Sequence, residues 1–182
     1  LKITGEHRDG FRDHVIFSLA LGTALREHEI CALNVGDVRH EDGRVRRRFQ
    51  LWVFKRSSKN PADQVAFLPD KAVYKLAKFF DWKRASGESL EPDAPLFISR
   101  RGTRLSTRTV RYLNREWQTR AGFDQIFSFH KLRHAALTKI QRDGGDLTLT
   151  QRVARHKNPA TTAIYAAPSD EDIINAVRAL PC

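Results

Sequence analysis

Apolar residues recur at helical spacing in most of the chain, and their interruptions mark its elements. From Phe11, the positions Val15, Ile16, Leu19 and Ala20 form an apolar stripe that predicts a helix ending near Gly22. A second helix follows Thr23-Ala24-Leu25-Arg26 and carries Glu29, Ile30 and Leu33, before turn residues at Asn34–Val38. The pattern then changes. Val45 to Phe54 is rich in β-branched and aromatic residues, Lys55 to Asp63 is polar, and Gln64 to Leu68 reads as a return strand, so the unit predicts a β-hairpin.

Helical spacing resumes after Pro69-Asp70, which act as start signals for a helix through Val73, Leu76, Ala77 and Phe80. A Gly/Ser/Glu/Pro loop, the short apolar segment Leu96-Phe97-Ile98 and a basic turn from Ser99 to Arg104 come next. Ser106 is placed to cap a helix through Val110, Leu113 and Trp117 that ends near Gly122. Phe129 to Gln141 carries Leu132, Ala135, Ala136 and Ile140 as its stripe, and Leu147, Leu149 and Val153 start a further helix. A short helix from Ala160 bears Tyr165, and Ser169-Asp170-Glu171 caps a last one through Ile173, Ile174, Val177 and Leu180. The expected fold class is mainly α with a small antiparallel β-sheet, an α+β arrangement.

A length of 182 residues with 41% hydrophobic content suffices for one core, so a single domain over 1–182 is expected. Charge narrows the partner: 32 Lys and Arg against 21 acidic residues give +11, which favours a polyanion. No stretch reaches transmembrane length, so nucleic acid is preferred to a membrane, in a cytoplasmic, nucleoid-associated setting. Cys31 and Cys182 form no disulfide framework, and Cys31 reads as a small core residue. Arg108, Arg111 and Arg115, spaced by three and four, lie on one helix face beside the turn carrying Arg100, Arg101 and Arg104. These six are candidates for DNA-backbone contact, although such a stripe is as often a solvated face. Arg44, Arg46, Arg47 and Arg48 alternate across a strand and cannot form one patch.

The candidate chemistry lies between Ser128 and Tyr165. His130 and Arg133 are three apart at a helix start, so both can face one phosphate, with backbone N–H groups nearby. Guanidinium groups neutralise a phosphodiester by forked hydrogen bonds, and a Tyr hydroxyl needs a base or cationic surroundings to attack phosphorus. His156 and Tyr165, nine residues apart, complete the set. Arg26 and Glu29 share a helix face, for which a surface ion pair is the plainer reading. His130 and His134 also have a spacing compatible with metal ligation, but the cationic surroundings disfavour a metal. No metal or nucleotide cofactor is required by tyrosine-based phosphoryl transfer.

At these positions the chain resembles the tyrosine recombinase (phage integrase) family, over essentially its whole length as that family's catalytic domain. The resemblance rests on Thr23-Ala24-Leu25-Arg26 with Glu29, on His130-Lys131-Leu132-Arg133-His134, and on Arg155-His156 with Tyr165. It implies the tyrosine recombinase catalytic-domain fold and site-specific DNA cleavage and rejoining through a covalent 3′-phosphotyrosyl intermediate. Arg26 and Arg133 are then expected to clamp the scissile phosphate, His130 to assist proton transfer, His156 to donate to the phosphate and Tyr165 to attack. Lys59, with Lys55 as the alternate, is expected to protonate the leaving 5′-oxygen, and Glu29 to support the site. The implied partner is double-stranded DNA, bound by a homotetramer that is monomeric when free, without the family's N-terminal core-binding domain. Residues 170–182 are expected to form a tail helix that docks on a neighbouring protomer. A type IB topoisomerase-like relaxation activity and a non-catalytic DNA-binding domain of the same fold are the alternatives. Ala24 and Arg155 stand where the family has Gly, and a left-handed backbone at Arg155 would strain a non-Gly residue.

Overall fold

A computed structural model describes residues 1–6, 10–51, 64–144, 146–156, 158, 160–166 and 178, with residues 5, 6 and 164–166 as backbone only. The chain divides into two compact units, Leu1–Ala136 and Leu137–Cys182. In the first, α1 (Lys2–Glu6) leads into α2 (Phe11–Thr23), α3 (Glu27–Ala32) and α4 (Val35–Val38). The strands β1 (Arg48–Gln50) and β2 (Val65–Phe67) follow, then α5 (Asp70–Ala85), α6 (Thr107–Arg120) and the first turns of α7 (His130–Arg142). The second unit contains α8 (Leu147–Ala154) and α9 (Ala160–Ala166). The mainly helical fold with a small antiparallel sheet agrees with the sequence reading.

The α2 stripe is buried as its spacing predicts: Val15, Ile16, Leu19 and Ala20 join Leu76, Phe79 and Phe80 of α5 in one core. Phe79 is central to it, stacked on Trp82 at 5.4 Å and tilted against Phe97 at 5.3 Å. Such pairs add to burial because ring edges and faces carry opposite partial charge. Cys31 is buried among these residues, and burial pushes its thiol up to about 12, so it behaves as a small apolar group.

The two strands pair antiparallel, Arg48 opposite Phe67, Phe49 opposite Ala66 and Gln50 opposite Val65. Phe49 and Ala66 face the core, whereas Arg48 and Phe67 face outward. The first strand is shorter at its start than the expected Val45–Phe54. Val45 pairs only in an isolated bridge with Arg39, and Arg46 turns its Nε to the carbonyls of Gly36 and Arg39 at 3.2 Å each. Lys55 and Lys59, the hairpin candidates, lie outside the described residues, as does the 170–182 segment apart from Arg178.

Three helix boundaries follow local chemistry. Ser106 caps α6 by accepting the Thr109 N–H at 3.1 Å, as expected from its position. Asp146 does the same for α8 with Leu149. In Asn34–Val38, expected as a turn, Val35–Val38 instead forms the separate helix α4 behind its N-cap Asn34, whose N–H the Asp37 carboxylate accepts at 2.8 Å. Two stripes also differ from expectation: Ala135 and Leu149 are exposed, while Arg133 and Thr150 are buried.

Candidate active site

The α2–α3 connection builds the first half of the site. Ala24 ends α2 in the left-handed region, at φ 52° and ψ 28°, and Thr23 accepts the Leu25 N–H through its hydroxyl at 3.3 Å. This turn places Arg26 immediately before α3. The Glu29 carboxylate then accepts both the Arg26 backbone N–H at 2.6 Å and its Nη1 at 2.7 Å. Glu29 is only 2% exposed, so the pair expected at the surface is a mostly buried one that holds the guanidinium in place. The Arg26 side chain keeps 23% of its surface accessible, enough to present part of the fork outward.

The second half comes from the entry to α7. Asn114 and Gln118 of α6 donate to the Phe127 carbonyl at 2.7 and 2.9 Å, and Phe127 N–H returns a bond to Gln118 at 2.7 Å. Phe129 is buried, with its ring 6.0 Å from Phe17 of α2. Full burial of such a ring is worth about 1.5–3 kcal/mol, so the helix start carrying His130 is firmly anchored. One turn further, Arg133 is 2% exposed and donates from Nη1 to the Ala24 carbonyl. The left-handed turn at Ala24 thus both delivers Arg26 and aims a carbonyl at Arg133.

Together these residues line one cleft of about 800 Å³, walled by Arg26, Arg133, His130, His28, Glu27 and Arg115, with Arg111, Asn114 and Phe127 also contributing. His130 packs edge-on to His134 at 4.7 Å between ring centres. Burial, followed by His134, Arg133 and Arg26, lowers the His130 pKa, and Glu27 opposes this. The ring is therefore biased toward the neutral form, which can accept a proton. His134 is lowered as well, by burial, Lys131 and Arg133.

In the second unit, α8 ends in a Schellman turn. Arg155 is left-handed at φ 53°, its N–H bonds to Arg152, and the His156 N–H reaches the Gln151 carbonyl at 3.1 Å. The strained backbone expected at Arg155 is present. His156 Nδ1 lies 3.0 Å from the Thr162 hydroxyl, so its ring is oriented from α9, the helix that includes Tyr165.

The basic candidates divide into groups. Arg104 donates to the carbonyls of Cys31, Ala32 and Leu33 at 3.2, 2.9 and 3.0 Å and to Asn34 Oδ1, capping the C-terminal end of α3. Arg111 forks onto Glu27, with its Nε 2.9 and 3.0 Å from the two carboxylate oxygens. Arg100, Arg101, Arg108 and Arg115 are exposed, and Arg115 also borders the cleft. Sequence reasoning missed Glu27, Asn114 and Thr162, and His28 in the cleft wall. The partners of the first three lie outside their own helices, on Arg111, Phe127 and His156, and an acidic residue at a helix start is explained by the helix dipole alone.

Two arginines and an imidazole converge on one cleft, an arrangement that can neutralise an anion such as a phosphodiester. The chain belongs to the phage integrase family, whose sequence model matches residues 1–172. It is 34% identical over 167 residues to tyrosine recombinase XerC of Shewanella amazonensis, covering 92% of this chain and 52% of the relative. XerC of Caldanaerobacter subterraneus is 28% identical over 172 residues, covering 93% of this chain and 45% of the relative. The chain thus spans about half the length of these curated relatives. Among solved structures, XerA recombinase superposes with a TM-score of 0.73 at 26% identity, over 94% of this chain and 59% of that one. The Tn1549 transposon integrase, in complex with circular intermediate DNA, gives a TM-score of 0.74 at 14% identity, over 99% of this chain and 63% of that one, and shares the fold.

Proposed function

We propose that this chain cleaves and rejoins double-stranded DNA at specific sites by transient covalent attachment through Tyr165. One observation carries the reading: Arg26 and the pair His130 and Arg133, about a hundred residues later in sequence, line a single cleft in one compact unit. Arg26 and Arg133 clamp the non-bridging oxygens of the scissile phosphate, and Glu29 positions Arg26. Tyr165 Oη attacks phosphorus and gives up its proton with help from His130, while His156 donates to a phosphate oxygen. The bond to the 5′-oxygen breaks, and Lys59, or Lys55 in its place, supplies the proton that the leaving oxygen takes. One phosphoester replaces another, so a 5′-hydroxyl from a second strand reverses the step without an external energy source. The DNA in the Tn1549 integrase complex and in that of XerH with its difH substrate, both of this fold, supports the choice of partner. Strand exchange between two sites calls for a homotetramer on DNA.

The test is a duplex nicked beside the cleavage position, so that the freed fragment diffuses away and traps the intermediate. Wild-type chain is expected to form a protein–DNA adduct that survives denaturing electrophoresis, with the modified peptide containing Tyr165, and Tyr165→Phe to form none. An adduct persisting in Tyr165→Phe overturns the assignment of the nucleophile. Duplex binding with no adduct at any sequence overturns the catalytic reading in favour of a binding module.

A further inference from the structure

The cleft that should receive a phosphodiester contains a carboxylate. Glu27 directly follows Arg26, lines the same wall as His130 and Arg133, and is 20% exposed in its side chain. Its charge is felt at His130, where it favours the protonated ring. An anion here opposes entry of a phosphate, so its presence in an otherwise cationic wall calls for a reason. That reason is visible in its partner. Arg111, 84 residues away on α6, places its Nε between both carboxylate oxygens and its Nη2 on Oε1. Arg111 is 66% exposed, and it sits on the same face as Arg108 and Arg115.

From this geometry we infer that Glu27 is a specificity-determining residue that withholds Arg111 from the DNA backbone until a phosphate occupies the cleft. The inference rests on the DNA reading above and deepens it. A guanidinium forked onto a carboxylate presents little net charge to a distant polyanion, so Arg111 adds almost nothing to sequence-independent binding while paired. An exposed pair of this kind is weak, so little is lost when it opens. A phosphate brought against Arg26 and Arg133 repels the Glu27 carboxylate and competes for the same fork, since phosphate accepts the bidentate geometry that carboxylate does. Arg111 then changes partner, and the extra contact appears only at a correctly seated site. The arrangement trades general affinity for discrimination between seated and unseated DNA.

Binding of the full chain to a labelled mixed-sequence duplex, followed by fluorescence anisotropy across a salt series, tests this with Glu27→Gln, Arg111→Gln and the double variant. Glu27→Gln is expected to tighten binding and steepen the log–log salt slope by about 0.9, so that its advantage shrinks about 3.5-fold between about 50 and 200 mM salt. Arg111→Gln alone leaves the slope at the wild-type value, and in the double variant it removes the gain. A charge-reversed pair, Glu27→Arg with Arg111→Glu, retains the wild-type slope and serves if the single replacement unfolds, as judged by thermal melting. The inference is overturned if Glu27→Gln changes neither affinity nor slope, or if its gain survives without Arg111. An equal slope loss on Arg111→Gln in both backgrounds overturns it too, since Arg111 would then contact phosphate regardless of Glu27. Should no variant bind duplex even at low salt, the DNA reading itself fails, an outcome distinct from the other three.

Discussion

Glu29→Gln probes the ion pair that holds Arg26 in the cleft wall, because it keeps the size of the side chain and removes only its charge. The carboxylate accepts two charge-assisted bonds, from the Arg26 N–H at 2.6 Å and from Nη1 at 2.7 Å, and is itself 2% exposed. An amide can accept one of these through its oxygen but turns N–H groups toward the other donor. Breaking a fully buried ion pair by removing one partner costs about 3–5 kcal/mol. Because the Arg26 side chain is 23% exposed, water recovers part of that, and the loss should fall near about 2–3 kcal/mol. Urea unfolding followed by the intrinsic fluorescence of the chain's three tryptophans, of which Trp82 and Trp117 lie in the Leu1–Ala136 unit, reads it. Adding Arg26→Gln removes the stranded cation, so the double variant should be less destabilised than the sum of the singles by at least about 1 kcal/mol. Additivity within about 0.5 kcal/mol would falsify the coupling and return the pair to the status of a surface contact. In the nicked-duplex assay, Glu29→Gln should slow adduct formation more than it weakens DNA binding, because it misaligns Arg26 without removing it.

Further outcomes follow from the same region. The His130 and His134 Cε1–H resonances should titrate below the ordinary imidazole value, and Glu27→Gln should move His130 lower still by removing the anion that favours its charged form. Since the fold depresses both values, their contribution to stability is full above about pH 6.5 and is lost as pH falls through the folded-state values; a His130 titration above about 6.5 contradicts the burial argument. At Ala24, glycine relieves about 1–2 kcal/mol of left-handed strain but forfeits about 0.8 kcal/mol of methyl burial and about 0.4–1 kcal/mol of chain entropy, so Ala24→Gly should unfold within about 1 kcal/mol of wild type. Ala24→Val, which adds a branch at positive φ in a packed site, should be clearly destabilised and impair adduct formation by displacing the carbonyl that receives Arg133; wild-type melting of that variant would sink the account.

What could be read from the sequence is what neighbouring residues decide among themselves. The α2 stripe, the Pro69-Asp70 start of α5, the Ser106 cap and the Arg26–Glu29 pair all depend on contacts within four residues, and each is present. The resemblance then supplied what spacing could not, namely that Arg26 belongs with His130 and Arg133. Partners brought together by folding were not legible. Arg104 sits in an exposed basic turn by sequence, yet it closes the end of α3 some 70 residues earlier. Arg111 reads as part of a phosphate-binding stripe, and only the packed α3 and α6 show that a carboxylate holds it. Arg133 illustrates the same limit from the other side. No apolar pattern predicts a buried arginine, because a carbonyl that receives it belongs to Ala24, 109 positions earlier.

That turn at Ala24 has a counterpart at Arg155, and the two together say something about how the chain spends backbone strain. These are the two non-glycine residues at positive φ among those described, at 52° and 53°. Each ends a helix, and each lies within two residues of one that the proposed chemistry needs, two before Arg26 and one before His156. A left-handed L-residue costs about 1–2 kcal/mol, so glycine would be the simpler solution to either turn. At Ala24 the methyl is buried and the cost is nearly offset by packing and by the stiffer unfolded chain. At Arg155 the side chain is also buried, with Nη1 donating to the Val153 carbonyl at 3.1 Å, so the larger residue closes the end of α8 with its own hydrogen bond. In both places the turn is retained and the side chain is made to contribute packing. A backbone that leaves the helix in one fixed direction is therefore held by side-chain contacts where glycine would leave it free, and the residues that follow, Arg26 and His156, inherit that fixed direction.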